Sequence, residues 1–339
     1  MPIYKDKKTG KYYITFYYTD YDGVRKRKKK EGFDRKKDAE EYKNSFLEKV
    51  TSNPSMIFSS FLHLYLEDSL ANVRYSTYKT KEYLIKAHIL PFFENFNIHE
   101  IDALSIRKWQ NSLKIKGYKD TYLRTINNQL SAIFNYAERF YNLKDNPVKK
   151  LSKMGKKHAN EMNFWTLEEF EIFVNAIEDD FTLYTIVNIL FYTGIRKGEL
   201  LALTSKSFNF QKKEMYITES YQRIDGRDLI TKPKTEKSIR TIALPEFLCE
   251  IIEEYINKLY DYRPHERLFY LNKYSLLKKI NTIISKHNLK QIRIHDFRHS
   301  HVALLISMNI NILEIADRLG HENPQTTLRT YGHLYPDKQ

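Results

Sequence analysis

The chain has 339 residues, of which 42% are hydrophobic and 14% aromatic, so it is long and apolar enough for two or three domains with buried cores. This composition excludes a disordered polymer. Its 56 lysines and arginines outnumber its 42 acidic residues by a formal charge of +14, which favours a polyanionic partner such as nucleic acid or an anionic membrane surface.

The first segment, residues 1–50, predicts a small three-stranded β-sheet followed by one helix. Aromatic and β-branched residues fill positions 11–18, Asp22-Gly23 is a strong hairpin signal, and a basic strand pattern follows from Val24. The segment holds 15 basic and 9 acidic side chains. We expect this charge to contact DNA. The alternative is a solvated edge hairpin, where lysine is a common device against edge-to-edge pairing.

The second segment, residues 57–147, shows only helical periodicities and predicts an all-α domain of four or five helices. Turn-forming residues at 51–56 predict a linker before it. Lysines crowd positions 148–163 after it, so this stretch is predicted to be a flexible linker that can lie against a phosphate backbone. The basic side chains that we expect to bind DNA are Arg25, Lys26, Arg27, Lys28, Lys79, Lys81, Arg124, Lys149, Lys150 and Lys156.

The third segment, residues 163–339, predicts a mainly helical domain with a small antiparallel sheet. The capping-box pair Thr166 and Glu169 opens it, and strand patterns at 215–219 and 238–244 interrupt the helical ones. The chain is therefore predicted to be an α+β multidomain protein, with a small sheet and helix first, an all-α domain second and this mixed domain last.

The sequence predicts a cytoplasmic protein without membrane association. No stretch approaches the ~18 consecutive apolar residues that a membrane span requires. The first thirty residues are too charged for a signal peptide. The single cysteine, Cys249, excludes a disulfide framework and a cysteine-based zinc site, and its apolar surroundings predict a small buried hydrophobe.

Two motifs of the third segment place cations beside helix starts. Arg196, in Thr193-Gly-Ile-Arg-Lys-Gly-Glu-Leu200, falls between two helices, where its planar guanidinium can bind a phosphate bidentately or pair with Glu199. His295 and Arg298 share one face of the helix that opens at His295-Asp-Phe-Arg-His-Ser-His301, and cations beside helix amides form an anion site.

A zinc site is the alternative for the second motif, with His299, His301 and Asp296 as ligands. It is disfavoured because residues two apart on a helix do not converge. No His-Glu-x-x-His pattern or cysteine ligand set supports it.

The third motif combines two short helices near the C-terminal end. A capped amphipathic helix runs from Asn311 to Gly320, which fixes His321 directly after a helix end. Asn323-Pro324 then begins a helix that reaches Tyr331, ten residues after His321. Tyr335 is the competing tyrosine, four residues further on.

Arg196, His295 with Arg298, His321 and Tyr331 occur in an order and spacing that resemble the tyrosine recombinase, or phage integrase, family. The resemblance covers residues 163–339. Residues 57–147 resemble the family's helical core-binding domain, and residues 1–50 its arm-binding β-domain. Thr330-Tyr331-Gly-His333 matches the family's pattern around its nucleophile, whereas the sequence around Tyr335 does not.

The resemblance implies that Tyr331 attacks a DNA phosphate and forms a 3′-phosphotyrosine ester. Arg196 and Arg298 would neutralise the charge that gathers on the phosphate oxygens. Because the ester keeps the energy of the broken bond, we expect no nucleotide cofactor, and two guanidiniums can replace a metal ion. His321 is implied to be a hydrogen-bond donor to the phosphate.

The resemblance also implies two proton carriers. His295 would accept the phenolic proton, since tyrosine titrates near ~10, and Lys234 would protonate the departing 5′ oxygen. Lys234 precedes a turn and a strand in Pro233-Lys-Thr-Glu-Lys-Ser-Ile-Arg240, and therefore matches the family pattern better than Lys232.

We therefore predict an integrase that inserts and excises phage or transposon DNA. Its expected partners are double-stranded DNA with core and arm sites, further copies of itself in a tetramer, and an accessory DNA-bending or directionality protein. One alternative is a cellular resolvase of chromosome dimers, which typically begins directly with the helical domain. A non-catalytic DNA-binding regulator and a metal-dependent nuclease are the others, and the complete residue set argues against the regulator.

Overall fold

The computed structural model describes residues 3–6, 9–19, 25–52, 56–156, 162–233, 235–271 and 273–334. The chain divides into two compact units, Met1–Asn160 and Glu161–Gln339. Among the described residues, none of the helices combines the length and the apolar character needed to cross a membrane.

The N-terminal part is a three-stranded antiparallel sheet with one helix, as predicted. Strand β2 (Tyr12–Thr19) lies between β1 (Ile3–Lys5) and β3 (Arg25–Phe33), and helix α1 (Lys36–Ser52) follows. A small core of Ile14, Phe16 and Ala39 joins sheet and helix. The outer strand β3 carries the run of basic side chains, most of them exposed.

The rest of the first unit is helical, which confirms the all-α prediction. Buried aromatic side chains such as Phe58, Phe61 and Trp109 form its core. Its helices are α2 (Phe58–Asn72), α3 (Tyr75–Leu84), α4 (Leu90–Phe93), α5 (Ala103–Ile115) and α6 (Asp120–Phe140), with a π-helical turn Ile85–Ile89 between α3 and α4. The Trp109 indole donates a hydrogen bond to the His88 carbonyl in that turn, at 2.8 Å.

The prediction of a flexible linker from residue 148 is wrong for its described part, which ends at residue 156. Val148 and Met154 are buried in the helical core, and the Asn146 side chain bonds the backbone of Ser131 at 3.0 Å. Gly155 lies so close to the start of α6 that a Cβ on it would stand 1.9 Å from the Asp120 carbonyl oxygen. Burial of two apolar residues therefore fixes this segment, although the four lysines of its described part stay on the surface.

The second unit is mainly helical with a small antiparallel sheet, as predicted. The strands expected at 215–219 and 238–244 are present as β5 and β8, which pair with each other, and Cys249 is buried. The strands are β4 (Phe208–Asn209), β5 (Glu214–Ile217), β6 (Ser220–Ile224), β7 (Arg227–Thr231) and β8 (Arg240–Ala243). The β6–β7 hairpin was not predicted, although Asp225-Gly226 at its turn is a hairpin signal.

In the described part of the second unit, eight α-helices accompany this sheet. Helix α8 is apolar on nearly all sides and lies at the centre of the core, where Phe191 stacks on Phe170 with ring centroids 3.7 Å apart. The helices are α7 (Leu167–Asn175), α8 (Phe181–Thr193), α9 (Lys197–Leu200), α10 (Glu246–Asn257), α11 (Lys273–Lys286), α12 (Asp296–Ser307), α13 (Ile312–Leu319) and α14 (Pro324–Tyr331).

The close approach at Gly155 generates a stability prediction. Gly155 and Gly117 both have a positive φ, +71° and +70°, but a Cβ at Gly117 meets nothing within 4 Å. We expect Gly117→Ala to cost about 1–2 kcal/mol, the usual penalty for a side chain in the left-handed region. Gly155→Ala should cost about 2 kcal/mol more, because the backbone of α6 must move to relieve the clash.

Denaturant unfolding measures both costs. The chain's two tryptophans, Trp109 and Trp165, lie in different units, so a Trp165→Phe background lets Trp109 fluorescence report on the first unit alone. Equal losses for the two alanine variants would show that residues 151–156 do not pack on α6 in solution.

Candidate active site

Arg298 is buried at the centre of the predicted site, with only 3% of its surface exposed. Its Nη1 donates to the Gly194 carbonyl at 2.8 Å, and its Nη2 donates to the Leu319 carbonyl at 2.8 Å. Gly194 is the left-handed cap of α8, and Leu319 is the last residue of α13. The cation is therefore held by carbonyls at two helix C-termini, where the helix dipole is negative. Burial and the Arg196 charge lower the pKa of Arg298 to about 9, so it stays cationic at neutral pH.

Arg196 is brought to the same place because it follows Gly194 by two residues. Its Nη1 donates to Glu199 Oε1 at 2.8 Å, and its backbone N–H donates to Glu199 Oε2 at 2.9 Å. The ion pair with Glu199 is thus present, yet the Arg196 side chain remains 39% exposed. A guanidinium has five donors, so Arg196 retains donors for a phosphate.

Arg240 is a member of this cluster that the sequence did not predict. Its Nη2 donates to Glu199 Oε2 at 2.8 Å, and its Nε donates to the Arg318 carbonyl at 2.8 Å. Burial alone would raise the pKa of Glu199, but the hydrogen bond and charge of Arg240, and then Arg196, lower it. The carboxylate therefore stays ionised and fixes both arginines.

His321 contacts Arg298 directly, since its Nε2 lies 3.0 Å from Arg298 Nη2. A guanidinium only donates, so His321 Nε2 must accept, and its Nδ1 then donates to Thr327 Oγ1 at 2.6 Å. Burial and the nearby Arg298 charge lower the pKa of His321 to about 4, which agrees with a neutral ring. To donate to a phosphate as predicted, this ring must first release Arg298.

Tyr331 is buried, and its hydroxyl lies 2.7 Å from Nδ1 of His299. Burial raises the pKa of Tyr331 to about 12. Burial and the neighbouring His295 lower the pKa of His299 to about 4. The predicted proton acceptor, His295, has an exposed ring whose centroid is 5.3 Å from that of His299.

The zinc alternative fails because His301 does not join His299 and Asp296 in a ligand set. His301 is buried, and its Nε2 accepts from Arg318 Nε at 3.1 Å. Asp296 accepts two side-chain bonds and a backbone bond from Arg293. Within the part of the chain that the structure describes, no three histidine, cysteine, aspartate or glutamate side chains cluster as metal ligands.

Two predicted or competing residues, Lys234 and Tyr335, lie outside the described residues. Lys232 lies just beyond β7 and is exposed. The structure thus brings together Arg196, Arg298 and His321, and the ring centroids of Tyr331 and His295 lie 5.5 Å and 5.3 Å from that of His299.

Several cations predicted to bind DNA already have protein partners. Lys79 pairs with Glu82 at 2.7 Å, and Lys149 pairs with Glu138 at 2.7 Å. Lys81, Lys150 and Arg124 contact Tyr65, Asp145 and the Gly155 carbonyl, respectively. Such surface pairs contribute at most about 1 kcal/mol, so a phosphate can replace the partner. On β3, the Arg25 guanidinium lies over the Tyr17 ring at 4.7 Å.

Three protein-family models match successive parts of the chain. Residues 163–338 match the phage integrase family, residues 57–114 its N-terminal SAM-like domain, and residues 2–50 the arm DNA-binding domain. The chain is 33% identical to the ICEBs1 integrase of Bacillus subtilis over 309 residues, which cover 86% of this chain and 83% of the relative. It is 24% identical to the integrase of Staphylococcus phage L54a, covering 71% of this chain and 78% of that one.

Solved structures show the same fold. A Tn1549 transposon integrase in complex with a circular intermediate DNA superposes with a TM-score of 0.71 at 21% identity, over 82% of this chain and 95% of that one. A lambda integrase tetramer bound to a Holliday junction superposes with a TM-score of 0.62 at 18% identity, over 99% of this chain and 95% of that one.

The neutral buried histidines generate a pH prediction. The pKa values of His299 and His321 fall to about 4 and that of His301 to about 3, whereas unfolded histidine titrates near ~6.5. Between these values the unfolded chain binds more protons than the folded one. The stability is therefore complete above pH ~6.5 and is lost as the pH falls below it, by about 1.4 kcal/mol per pH unit for each proton.

Trp165 fluorescence in a Trp109→Phe background follows the second unit during denaturant unfolding between pH 7 and pH 5. In His299→Gln, we expect the slope of the unfolding free energy against pH to decrease by about 1.4 kcal/mol per pH unit, which is the contribution of one proton. The exposed His287 provides the control, since His287→Gln should leave the slope unchanged. A stability that does not change across this range would contradict the neutral, buried state of these rings.

Proposed function

The chain belongs to the phage integrase family of tyrosine recombinases, and from this premise we propose that it is the integrase of a mobile genetic element. It cuts and rejoins DNA through an ester between Tyr331 and a DNA 3′ phosphate. The assignment to these residues rests on the contacts of the Arg298 guanidinium. It binds the Gly194 carbonyl, two residues before Arg196, and the Leu319 carbonyl, two residues before His321, and it also bonds the His321 ring.

The phosphate binds where the positive charge lacks a matching anion. Arg196, Arg240 and Arg298 carry three positive charges around the single carboxylate of Glu199. A phosphodiester supplies one negative charge, and its transition state gathers more on the non-bridging oxygens. Donors on Arg196 that face solvent then bind these oxygens with charge-assisted hydrogen bonds.

Cleavage replaces one phosphate ester by another. The Tyr331 oxygen attacks phosphorus and gives its proton to a neighbouring histidine, the bond to the 5′ oxygen breaks, and that oxygen takes the proton that the family resemblance assigns to Lys234. His295 and His321 lie beside the arginines and contact the phosphate. The reverse attack by a 5′ hydroxyl rejoins the strand, so no nucleotide is consumed.

The other segments select and hold the DNA. Residues 1–50 bind arm sites through β3, and residues 57–147 bind the core site together with the catalytic domain, 163–339. The protein acts in the cytoplasm as a tetramer on paired sites, as the lambda integrase does on its Holliday junction, with an accessory DNA-bending protein. Integration and excision of phage or transposon DNA are its reactions.

The nucleophile is tested with nicked duplexes made from the DNA that flanks the gene, because an integrase commonly lies beside its attachment site. We expect the protein to form a covalent adduct that migrates with the DNA in denaturing gels. Tyr331→Phe should abolish the adduct, and Tyr335→Phe should retain it. An adduct formed by Tyr331→Phe would disprove the assigned nucleophile.

The arm interface is tested by the salt dependence of binding. Replacing Arg25, Lys26 and Arg27 by glutamine should lower the slope of log affinity against log salt by about 0.9 for each lost phosphate contact. The matched control removes the same charge at the start of α1, with glutamine at Arg35, Lys36 and Lys37, and should leave the slope nearly unchanged. Core-site cleavage should persist in both variants. Equal slopes would assign the β3 charge to solubility.

A further inference from the structure

His299 contacts the proposed nucleophile, Tyr331, but has no role in the proposed function. Its Nδ1 lies 2.7 Å from the Tyr331 hydroxyl, within the distance of a strong hydrogen bond. The two rings are inclined by 55° with centroids 5.5 Å apart, so they meet at their edges. The contact joins α12 to α14, which are separated by α13 in sequence.

The chemistry of the two groups fixes the direction of this hydrogen bond. Burial keeps Tyr331 protonated, with its pKa at about 12, and keeps the His299 ring neutral, with its pKa at about 4. A neutral imidazole has one acceptor nitrogen and one N–H. The phenol therefore donates to Nδ1, and the ring proton is on Nε2.

The second nitrogen of His299 faces a carboxylate. His299 Nε2 lies 3.8 Å from Asp296 Oδ1, too far for a hydrogen bond but close enough to attract the N–H. Asp296 is 1% exposed, and the Arg293 guanidinium binds both of its oxygens. The Tyr331 hydroxyl, the His299 ring and the Asp296 carboxylate thus lie in the order nucleophile, base and orienting group. Enzymes that activate a hydroxyl nucleophile use this arrangement.

We propose that His299 is the general base of strand cleavage, accepting the Tyr331 proton at Nδ1 while Asp296 stabilises the imidazolium that forms. This inference rests on the proposed function. The phenolic O–H electron pair forms the bond to phosphorus, the proton passes to His299, and the bond to the 5′ oxygen breaks. The departing oxygen takes its proton from the acid predicted at Lys234. In rejoining, the protonated His299 returns its proton to the Tyr331 oxygen.

Geometry favours His299 over His295 for this step. His299 contacts the reacting oxygen itself, whereas the contact recorded for the ring of His295, an exposed residue, is with His299 at 5.3 Å between centroids. The charged and titratable groups that act on His299 come from three places: Asp296 and Arg298 within α12, His295 and Arg293 just before it, and Tyr331 from α14.

DNA binding is expected to raise the pKa of His299. Two cations, Arg293 and Arg298, disfavour a charged His299 in the DNA-free protein, in addition to burial. A phosphate bound between Arg196 and Arg298 adds negative charge beside the ring, which raises the pKa of His299. The histidine therefore becomes a competent base only when the substrate is in place.

The test measures cleavage of nicked DNA in single turnovers by the full-length protein. Glutamine at position 299 keeps a hydrogen-bond acceptor for Tyr331 but cannot take its proton. We expect His299→Gln to cleave about 10²- to 10⁴-fold more slowly than the wild type, the usual contribution of a general base. The rate of this variant should also rise with pH, because hydroxide then ionises Tyr331. The wild-type rate should not change over the same pH range.

A substrate with sulphur in place of the 5′ oxygen distinguishes a base from an acid. A thiolate leaves without a proton, so this substrate should rescue Lys234→Ala and leave the defect of His299→Gln in place. His287→Gln is the matched control, since His287 is exposed on the same unit, and should cleave normally. In a Trp109→Phe background, Trp165 fluorescence confirms that each variant is folded.

Three outcomes separate the hypotheses. Cleavage by His299→Gln within threefold of the wild type, with a wild-type pH profile, would overturn the base assignment and leave the covalent tyrosine intact. Rescue of His299→Gln by the sulphur substrate would also overturn it, because His299 would then serve the leaving group. Absence of any Tyr331 adduct with the wild-type protein would instead refute the proposed function.

Discussion

The buried Arg298 guanidinium is the interaction on which the site depends. Its two terminal nitrogens bind carbonyls at the ends of α8 and α13, and each helix stops there because a glycine, Gly194 or Gly320, adopts the left-handed conformation. Arg196 follows the first glycine by two residues and His321 follows the second directly. One cation therefore sets the positions of two residues that are 125 apart in sequence. Removing it would leave both helix ends buried without a donor.

The same arrangement gives the physical reason for the proposed phosphate site. Burying several like charges is costly unless an opposite charge accompanies them. Glu199 compensates Arg196 and Arg240, while Arg298 is held by carbonyl dipoles and by the His321 ring. The three neighbouring histidines stay neutral under this field. In the proposed function a DNA phosphate supplies the missing negative charge, so that substrate binding also relieves the repulsion among the arginines.

Local signals made much of the site predictable. Glycine caps and an asparagine cap placed Arg196, His321 and Tyr331 at helix ends, and the hairpin signal and periodicities predicted the sheet and helices of the fold. The contact of His299 with Tyr331 was not predictable, because the packing of α14 on α12 decides which histidine meets the phenol. Arg240 stands in a strand without any pattern that marks it. The β6–β7 hairpin was missed although its Asp-Gly turn is visible in the sequence.

In the proposed mechanism, consecutive residues of α12 act on the phosphate and on the nucleophile. Arg298 bonds His321, and His299 bonds Tyr331, so two adjacent side chains hold the two ends of the segment from α13 to α14. Neighbouring positions on a helix point about 100° apart, which lets one side chain face the core and the next face α14. The distance between phosphate site and phenolic oxygen is therefore fixed largely within one helix. A change in the packing of α12 would alter charge neutralisation and proton transfer together, which ties the two halves of the chemistry to a single structural element.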